Sequence, residues 1–281
     1  MRILIILITI SLLAGCAVNR EYYPKVEGIK VNHRKHPAQN NYNERINTLV
    51  LHYTVSDYPT SIMILTERNV SSHYLVGDDD SNNEVLQLVG EDKRAWHAGV
   101  SYWNGTKGLN STSIGIEIVN SGYKEENGTK TYYPFSDKQI RKVGLLSKSI
   151  IDRHKIKPLN VVGHQDIATS RKSDPGPLFP WLKLYTDYGV GAWPDQKDVE
   201  AGFEEYNKLV YSDAEDSEII RLMQTGLKKI GYDIEEINGE ADRTTKDAIV
   251  AFQTHYRQSK YDGEIDAETF AIMKALIKKY K

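Results

Sequence analysis

An α/β fold is what this chain of 281 residues predicts, with a mixed central β-sheet flanked by helices and a small three-helix domain after it. Three observations carry the prediction. Between Arg45 and Tyr188 short apolar runs alternate with helical patterns, the arrangement that sets helices on the faces of a sheet. One pattern, Asp137 to His154, has the Ser136 and Gln139 spacing of a capping box and an apolar stripe through Ile140, Val143, Leu146, Ile150 and Ile151. The C-terminal part carries an internal echo, in which Gly239-Glu240-Ala241-Asp242-Arg243-Thr244-Thr245 returns as Gly263-Glu264-Ile265-Asp266-Ala267-Glu268-Thr269.

Taken in order, residues 1–15 read as a signal peptide. Met1-Arg2 supplies a positive charge, Ile3 to Leu13 is almost wholly apolar, and the run is shorter than a comfortable membrane span. Leu13-Ala14-Gly15-Cys16 resembles the lipobox of bacterial lipoproteins, which implies cleavage before Cys16 and lipid attachment there. Ala17, in place of an acidic residue, implies the outer membrane as destination, on its periplasmic face. More than one acyl chain passes the threshold for stable anchoring, and residues 16–44 then serve as tether and N-terminal arm. Strands are expected over Thr48–Tyr53, Ser72–Val76, Glu84–Val89, Ser113–Asn120 and Leu159–Gly163. With the helix over Asp137–His154 they make one domain, residues 45–188. Residues 189–212, with Gly, Pro and acidic residues around one short helical segment, read as a linker. Residues 213–281 are the helical domain: an apolar pattern at Ile219, Leu222, Met223 and Leu227 opens it, and each copy of the echo offers Gly for a turn and Asp as a helix cap.

Composition narrows the function. Forty per cent hydrophobic and 26% charged residues suit a soluble globular protein. A net charge of -2 provides no basic excess to neutralise phosphates, so no nucleic-acid partner is expected. Cys16 is the only cysteine, which excludes an intramolecular disulfide. A monomer is expected.

The chemistry gathers at the ends of apolar runs. His52 closes Asn47-Thr48-Leu49-Val50-Leu51, Glu117 sits inside Ile114-Gly115-Ile116-Glu117-Ile118-Val119, and His164 follows Val161-Val162-Gly163. Lys172 and Asp174 lie in Arg171-Lys172-Ser173-Asp174-Pro175-Gly176. A charge at the end of a buried strand costs free energy unless it is paired. Two imidazoles and a carboxylate can hold a zinc ion with a fourth position open, which points to a metal hydrolase. More than a hundred residues separate His52 from His164, so spacing alone supplies no metal signature.

Six segments together change that. Leu51-His52-Tyr53-Thr54, Ser72-His73-Tyr74, Ala95-Trp96-His97-Ala98-Gly99, Ile114-Gly115-Ile116-Glu117, Gly163-His164-Gln165-Asp166-Ile167 and Lys172-Ser173-Asp174-Pro175-Gly176 resemble, in order, the type-2 (AmpD-like) zinc N-acetylmuramoyl-L-alanine amidases. The resemblance covers roughly residues 45 to 185. It implies zinc as cofactor with His52, His164 and Asp174 as ligands, Glu117 as the catalytic carboxylate and Lys172 as stabiliser of the transition state. The substrate implied is peptidoglycan or a muropeptide, 1,6-anhydro forms included, cut between the lactyl group of N-acetylmuramic acid and L-alanine. Elementary chemistry agrees: zinc held this way lowers the pKa of water from about 15.7 towards roughly 7, Glu117 can carry its proton to the leaving amine, and Lys172 can stabilise the oxyanion.

Trp96 and His97 have two readings. They line the cleft and bind substrate, Trp96 against sugar and His97 as a donor to peptide or carbonyl, or Trp96 packs in the core and His97 caps a turn. His73 reads as a strand-packing residue. The C-terminal unit, with Leu222-Met223-Gln224, Gly231-Tyr232 and Ala251-Phe252-Gln253, is similar to a helical peptidoglycan-binding domain, so it is expected to serve attachment to polymer rather than chemistry. Acidic residues there slightly outnumber basic ones, which predicts no electrostatic pull on an anionic polymer. Two competing functions remain: a muropeptide recognition protein of the same fold that does not cut, and a zinc peptidase acting between two amino acids.

Overall fold

The computed structural model describes residues 44–78, 84–212 and 215–281, and the single position Glu27. The expected signal peptide, Cys16 and nearly all of the tether lie outside the described residues. Along the chain, β1 (Thr48–Tyr53) is buried throughout. Asp57 then caps α1 (Tyr58–Glu67) by accepting from the Thr60 amide. Next come β2 (Tyr74–Val76) and β3 (Val85–Gln87), a two-residue pair β4 (Tyr102–Trp103) and β5 (Thr106–Lys107), and β6 (Ser113–Ile118). A hairpin of β7 (Tyr123–Glu126) and β8 (Thr129–Tyr132) leads into α2 (Asp137–His154). After β9 (Val161–Gly163) all remaining elements are helical: α3 (His164–Ile167), α4 (Trp181–Tyr188), α5 (Gln196–Tyr211), α6 (Asp216–Ile230), α7 (Arg243–Tyr256) and α8 (Ala267–Tyr280).

The main sheet has the order β3-β2-β6-β1-β9, with β3 antiparallel at one edge and the other four strands parallel. It is the mixed sheet that the alternation of patterns predicts. Helix α2 starts and stops where expected, and its capping box is present: the Ser136 hydroxyl accepts from the Gln139 amide while the Gln139 side chain accepts from the Ser136 amide. Some strands are shorter than their apolar runs. Ser72 and His73 precede β2 because their side chains take the place of a ladder: Ser72 Oγ donates to the Gly115 carbonyl at 2.8 Å, and the Gly115 amide donates to His73 Nδ1 at 3.0 Å. Likewise Pro158–Asn160 forms a 3-10 turn ahead of β9.

Side chains alternate across a strand, so the two faces of the sheet have different fates. On one face Leu49, Leu51, Ile114, Ile116 and Ile118 pack with Ile140, Val143 and Ile150 of α2 and Leu184 of α4. On the other, Val50 and Val162 join a cluster that runs through Trp103 into Met223, Leu227, Tyr232, Phe252 and Phe270 of the C-terminal helices. Residues Glu44–Lys281 therefore form one compact unit. The helical segment expected to be short between residues 189 and 212 is the 16-residue α5. It lies close on α8, since a Cβ at Gly202 would sit 2.6 Å from Ala271 Cα.

The internal echo is structural as well. Gly239 and Gly263 both have φ of +80°, where a side chain is strained. Each glycine amide donates to a glutamine, Gln224 Oε1 at 3.0 Å and Gln253 Oε1 at 2.9 Å, and Asp242 and Asp266 cap α7 and α8 through the Thr245 and Thr269 amides.

Candidate active site

The site lies at the C-terminal ends of three neighbouring parallel strands, where ligands bind in open α/β sheets. His52 of β1 stands in register with Glu117 of β6, so both side chains leave the same face of the sheet. His164 follows β9 directly, as the first residue of α3. The period of two along β6 sends Ser113, Gly115 and Glu117 to that face together. Gly115 leaves space that His97 fills, for a Cβ there would come within 2.6 Å of the imidazole.

Three donor atoms converge. His52 Nδ1 and His164 Nδ1 are 3.0 Å apart, and Asp174 Oδ2 lies 3.1 Å from the first and 3.2 Å from the second. All three residues are buried. Their hydrogen-bonded surroundings determine where the ring protons sit. His164 Nε2 lies 3.1 Å from the Ala98 carbonyl, which can only accept, so that nitrogen carries the proton and Nδ1 keeps its lone pair. For His52 the assignment runs through a relay. Ser113 Oγ donates to the Leu109 carbonyl at 2.6 Å and so accepts from His97 Nε2 at 3.2 Å. His97 Nδ1 is then the acceptor for His52 Nε2 at 3.0 Å, which leaves His52 Nδ1 bare.

Burial, then the neighbouring His164, bring the His52 pKa down to about 4 against the pull of Asp174. Burial and His52 hold His97 well below the ordinary histidine range. Asp174 remains below the usual carboxylate range, because the two imidazoles outweigh the effect of its burial. With the ring protons placed on the two Nε2 atoms, His52 Nδ1, His164 Nδ1 and Asp174 Oδ2 aim three lone pairs at one another. Such a convergence is repulsive until a cation joins it. These residues fit a metal ion: one ligand atom from each of His52, His164 and Asp174 lies within 4.8 Å of the others.

Beside this cluster is a cleft of about 240 Å³ lined by His52, Trp96, His97, Glu117, Lys172 and Asp174, among others. Glu117 is among these lining residues. Its Oε2 is buried with no hydrogen-bond partner among the described residues, and burial, with the Asp174 charge behind it, pushes its pKa well up against the pull of Lys172. Lys172 is exposed at the cleft wall. Trp96 is not a core residue: it is 59% exposed at the rim, with the Arg94 guanidinium 5.0 Å from its ring centroid. His97 is buried with both ring nitrogens engaged by His52 and Ser113, so it has no free donor for a substrate. It supports His52. His73 is buried in the strand packing, bonded to Gly115.

Several contributors are absent from the six motif readings. Asn110 Oδ1 accepts from the amides of His97 at 3.0 Å and Ala98 at 2.7 Å, and so shapes the loop that carries Trp96. Arg171 donates to the carbonyls of Ala98 and Val100, which ties that loop to the one carrying Lys172 and Asp174. Ser113 had a legible signal, the Ser-x-Gly-x-Glu alternation on one strand face. Asn110 and Arg171 had none, since each acts on backbone outside its own segment.

A sheet with this donor set at its carboxyl edge, and an isolated carboxyl group beside it, defines a metal-dependent hydrolase. Comparison with known proteins says which. The family model for N-acetylmuramoyl-L-alanine amidase matches residues 42–177, and that for a putative peptidoglycan binding domain matches residues 216–273. The N-acetylmuramoyl-L-alanine amidase AmiD of Escherichia coli (strain K12) is 43% identical over 273 residues, 96% of this chain and 95% of the relative. A solved complex of the E. coli AmiD with the substrate anhydro-N-acetylmuramic acid-L-Ala-D-gamma-Glu-L-Lys matches with TM-score 0.77 and 41% identity, covering 91% of this chain and 97% of that one. AMPDH3 from Pseudomonas aeruginosa in complex with an anhydromuramic pentapeptide matches with TM-score 0.79 and 36% identity, covering 90% and 99%. This chain belongs to the N-acetylmuramoyl-L-alanine amidase family.

Proposed function

We propose that this protein is a zinc amidase that hydrolyses the amide between the lactyl group of N-acetylmuramic acid and L-alanine in peptidoglycan and its fragments. The observation that carries the reading is the convergence of His52 Nδ1, His164 Nδ1 and Asp174 Oδ2, three bare lone pairs beside the unpartnered Glu117. Nitrogen and carboxylate donors in a three-residue set suit zinc with a position left open. When bound, zinc supplies the Lewis acidity that makes water a competent nucleophile near neutral pH. The muropeptides named in the two solved complexes support a substrate of that class in this cleft.

The chain's own residues do the rest. Glu117 takes the proton of the attacking water and returns it to the alanine nitrogen as the amide breaks. Lys172 faces the carbonyl oxygen as it gains charge. The indole of Trp96 at the rim offers a flat surface to the sugar ring. His97 and Ser113 hold His52 in the tautomer that leaves its Nδ1 free, and the Ala98 carbonyl does the same for His164. Before the catalytic unit come a signal peptide over residues 1–15 and a tether over 16–44, lipidated at Cys16 and held at the outer membrane. After it, residues 213–281 give contact with the wall polymer. The protein acts as a monomer.

Mass spectrometry of the products from sacculi and from purified anhydro-muropeptides tests the function. Free stem peptides beginning with L-alanine are expected from both, with loss of cleavage on chelation and recovery with zinc. Full activity after exhaustive chelation overturns the metal assignment, and cleavage within the stem instead of at its first amide overturns the substrate assignment.

A further inference from the structure

The C-terminal helices reach the active site through one buried carboxylate. Asp166, 1% exposed, sits two residues after His164. Its Oδ2 accepts from the Gly163 amide at 2.7 Å, immediately before the ligand. Its other donors come from the helical unit: Tyr232 Oη to Oδ1 at 2.7 Å and His255 Nδ1 to Oδ2 at 2.7 Å. Both donors are themselves held. Tyr232 is fully buried edge-on against Trp103, with ring centroids 4.9 Å apart. The His255 ring lies between Trp181, at 3.7 Å, and Tyr256, at 4.1 Å. The other side of His164 is fixed too, since the Gln165 amide donates to the Asp174 carbonyl at 2.8 Å. No side chain fits at Gly163, where a Cβ would meet Pro175 Cδ at 2.6 Å.

From this geometry we infer that Tyr232 and His255 are positioning residues for the metal site: through Asp166 they set the backbone turn that aims His164, so the helical unit is part of the metal centre's support as well as an attachment module. The inference rests on the reading of His164 as a metal ligand. Physically, a short segment such as 163–167 has too few internal hydrogen bonds to hold one ring direction. A carboxylate that caps its first amide holds it only if the carboxylate is itself immobile. Among the described residues, two of the three donors to Asp166 lie beyond residue 212, so a chain ending near Tyr211 loses them. Attachment alone does not describe the unit.

The test uses the full chain and zinc alone as probe, with the dissociation constant measured by chelator competition and kcat and KM measured on a small soluble muropeptide. Tyr232→Phe and His255→Phe keep the rings and remove the donors. Each is expected to weaken zinc binding by about 10- to 100-fold, the usual range for groups that orient a ligand, and to leave KM nearly unchanged at saturating zinc. His255→Asn loses the stacked ring but keeps an N–H near the place of Nδ1. It is expected to be less thermostable than wild type yet to bind zinc within about threefold of it. A purely structural role gives the reverse order, with zinc affinity following thermal stability, and that order overturns the inference. Unchanged zinc affinity in all three variants does the same. If a variant fails to fold, hydrogen exchange on the metal-free wild-type chain decides: the Gly163 amide is expected to open together with the amides of α7, and faster, independent exchange at Gly163 refutes the coupling. A wild-type chain that binds no zinc points instead to failure of the metal-site reading.

Discussion

At the residue scale, the site depends on groups whose proton positions follow from their neighbours. His52 exposes Nδ1 because Ser113 gives its proton to Leu109, and the relay through His97 propagates that choice. Glu117 is the opposite case, a carboxyl group with a buried, unpartnered oxygen and a pKa raised by that burial. Its isolation suits proton transfer, because a group tied up in hydrogen bonds holds its proton state. Glu117→Gln keeps the shape and removes the base. Zinc content is expected to stay near one per chain while kcat falls about 100- to 10,000-fold, the range typical of acid–base groups. Loss of zinc in this variant would mean that Glu117 is a ligand. Of the proposed ligands, His52 and His164 were legible as polar ends of apolar runs. The relay was not, since nothing in the chemistry of an isolated Ser113 or His97 says which partner its proton faces.

At the scale of elements, local signals carried far. The capping box and stripe of α2 lie within one short stretch, and the helix begins and ends where they place it. Where the expected strands run long, side chains replace the ladder, as Ser72 and His73 do at Gly115. Helix α2 is tied to strand β2 by Glu91, which accepts from Arg153, His154 and Tyr74. Burial alone would raise the Glu91 carboxyl, but the bonds from Arg153, Tyr74 and His154 bring it down to about 2 from the ordinary 4.5. A carboxyl depressed in the folded state stabilises the fold fully above its unfolded pKa and loses that contribution as the pH falls. Glu91→Gln is therefore expected to lower the melting temperature at pH 7, and the gap to wild type should close between about pH 4.5 and pH 2. A gap that widens in acid would show that the ion pairs are not the source.

For the whole molecule, the proposed function assigns the place of activity to two parts of the chain. The helical unit shares a core with the sheet, through Val50, Val162, Trp103 and Tyr232. In the proposed reading, the apolar run that ends at Leu13-Ala14-Gly15-Cys16 carries the lipid anchor. If Cys16 is acylated as proposed, each buried methylene contributes roughly 0.8 kcal/mol, enough in combination for stable anchoring. In cells fed labelled palmitate the wild-type chain should take up label and Cys16→Ser should not. Equal labelling of both would remove the lipid from Cys16 and with it the outer-membrane assignment.

By itself the sequence determined the alternation of strands and helix, the ends of α2, the glycine and aspartate of the repeated turn, and the identity of the residues that could bind metal. Each is written within a few residues, where periodicity, capping and turn chemistry act. Tertiary structure alone decided that His52, His164 and Asp174 meet, across separations of up to 122 residues. It also turned His97 inward and Trp96 outward from one five-residue segment, and it brought Tyr232 and His255 onto Asp166 from 66 and 89 residues away. Contacts of that range depend on which strands become neighbours and which face each helix covers, and no local propensity encodes them.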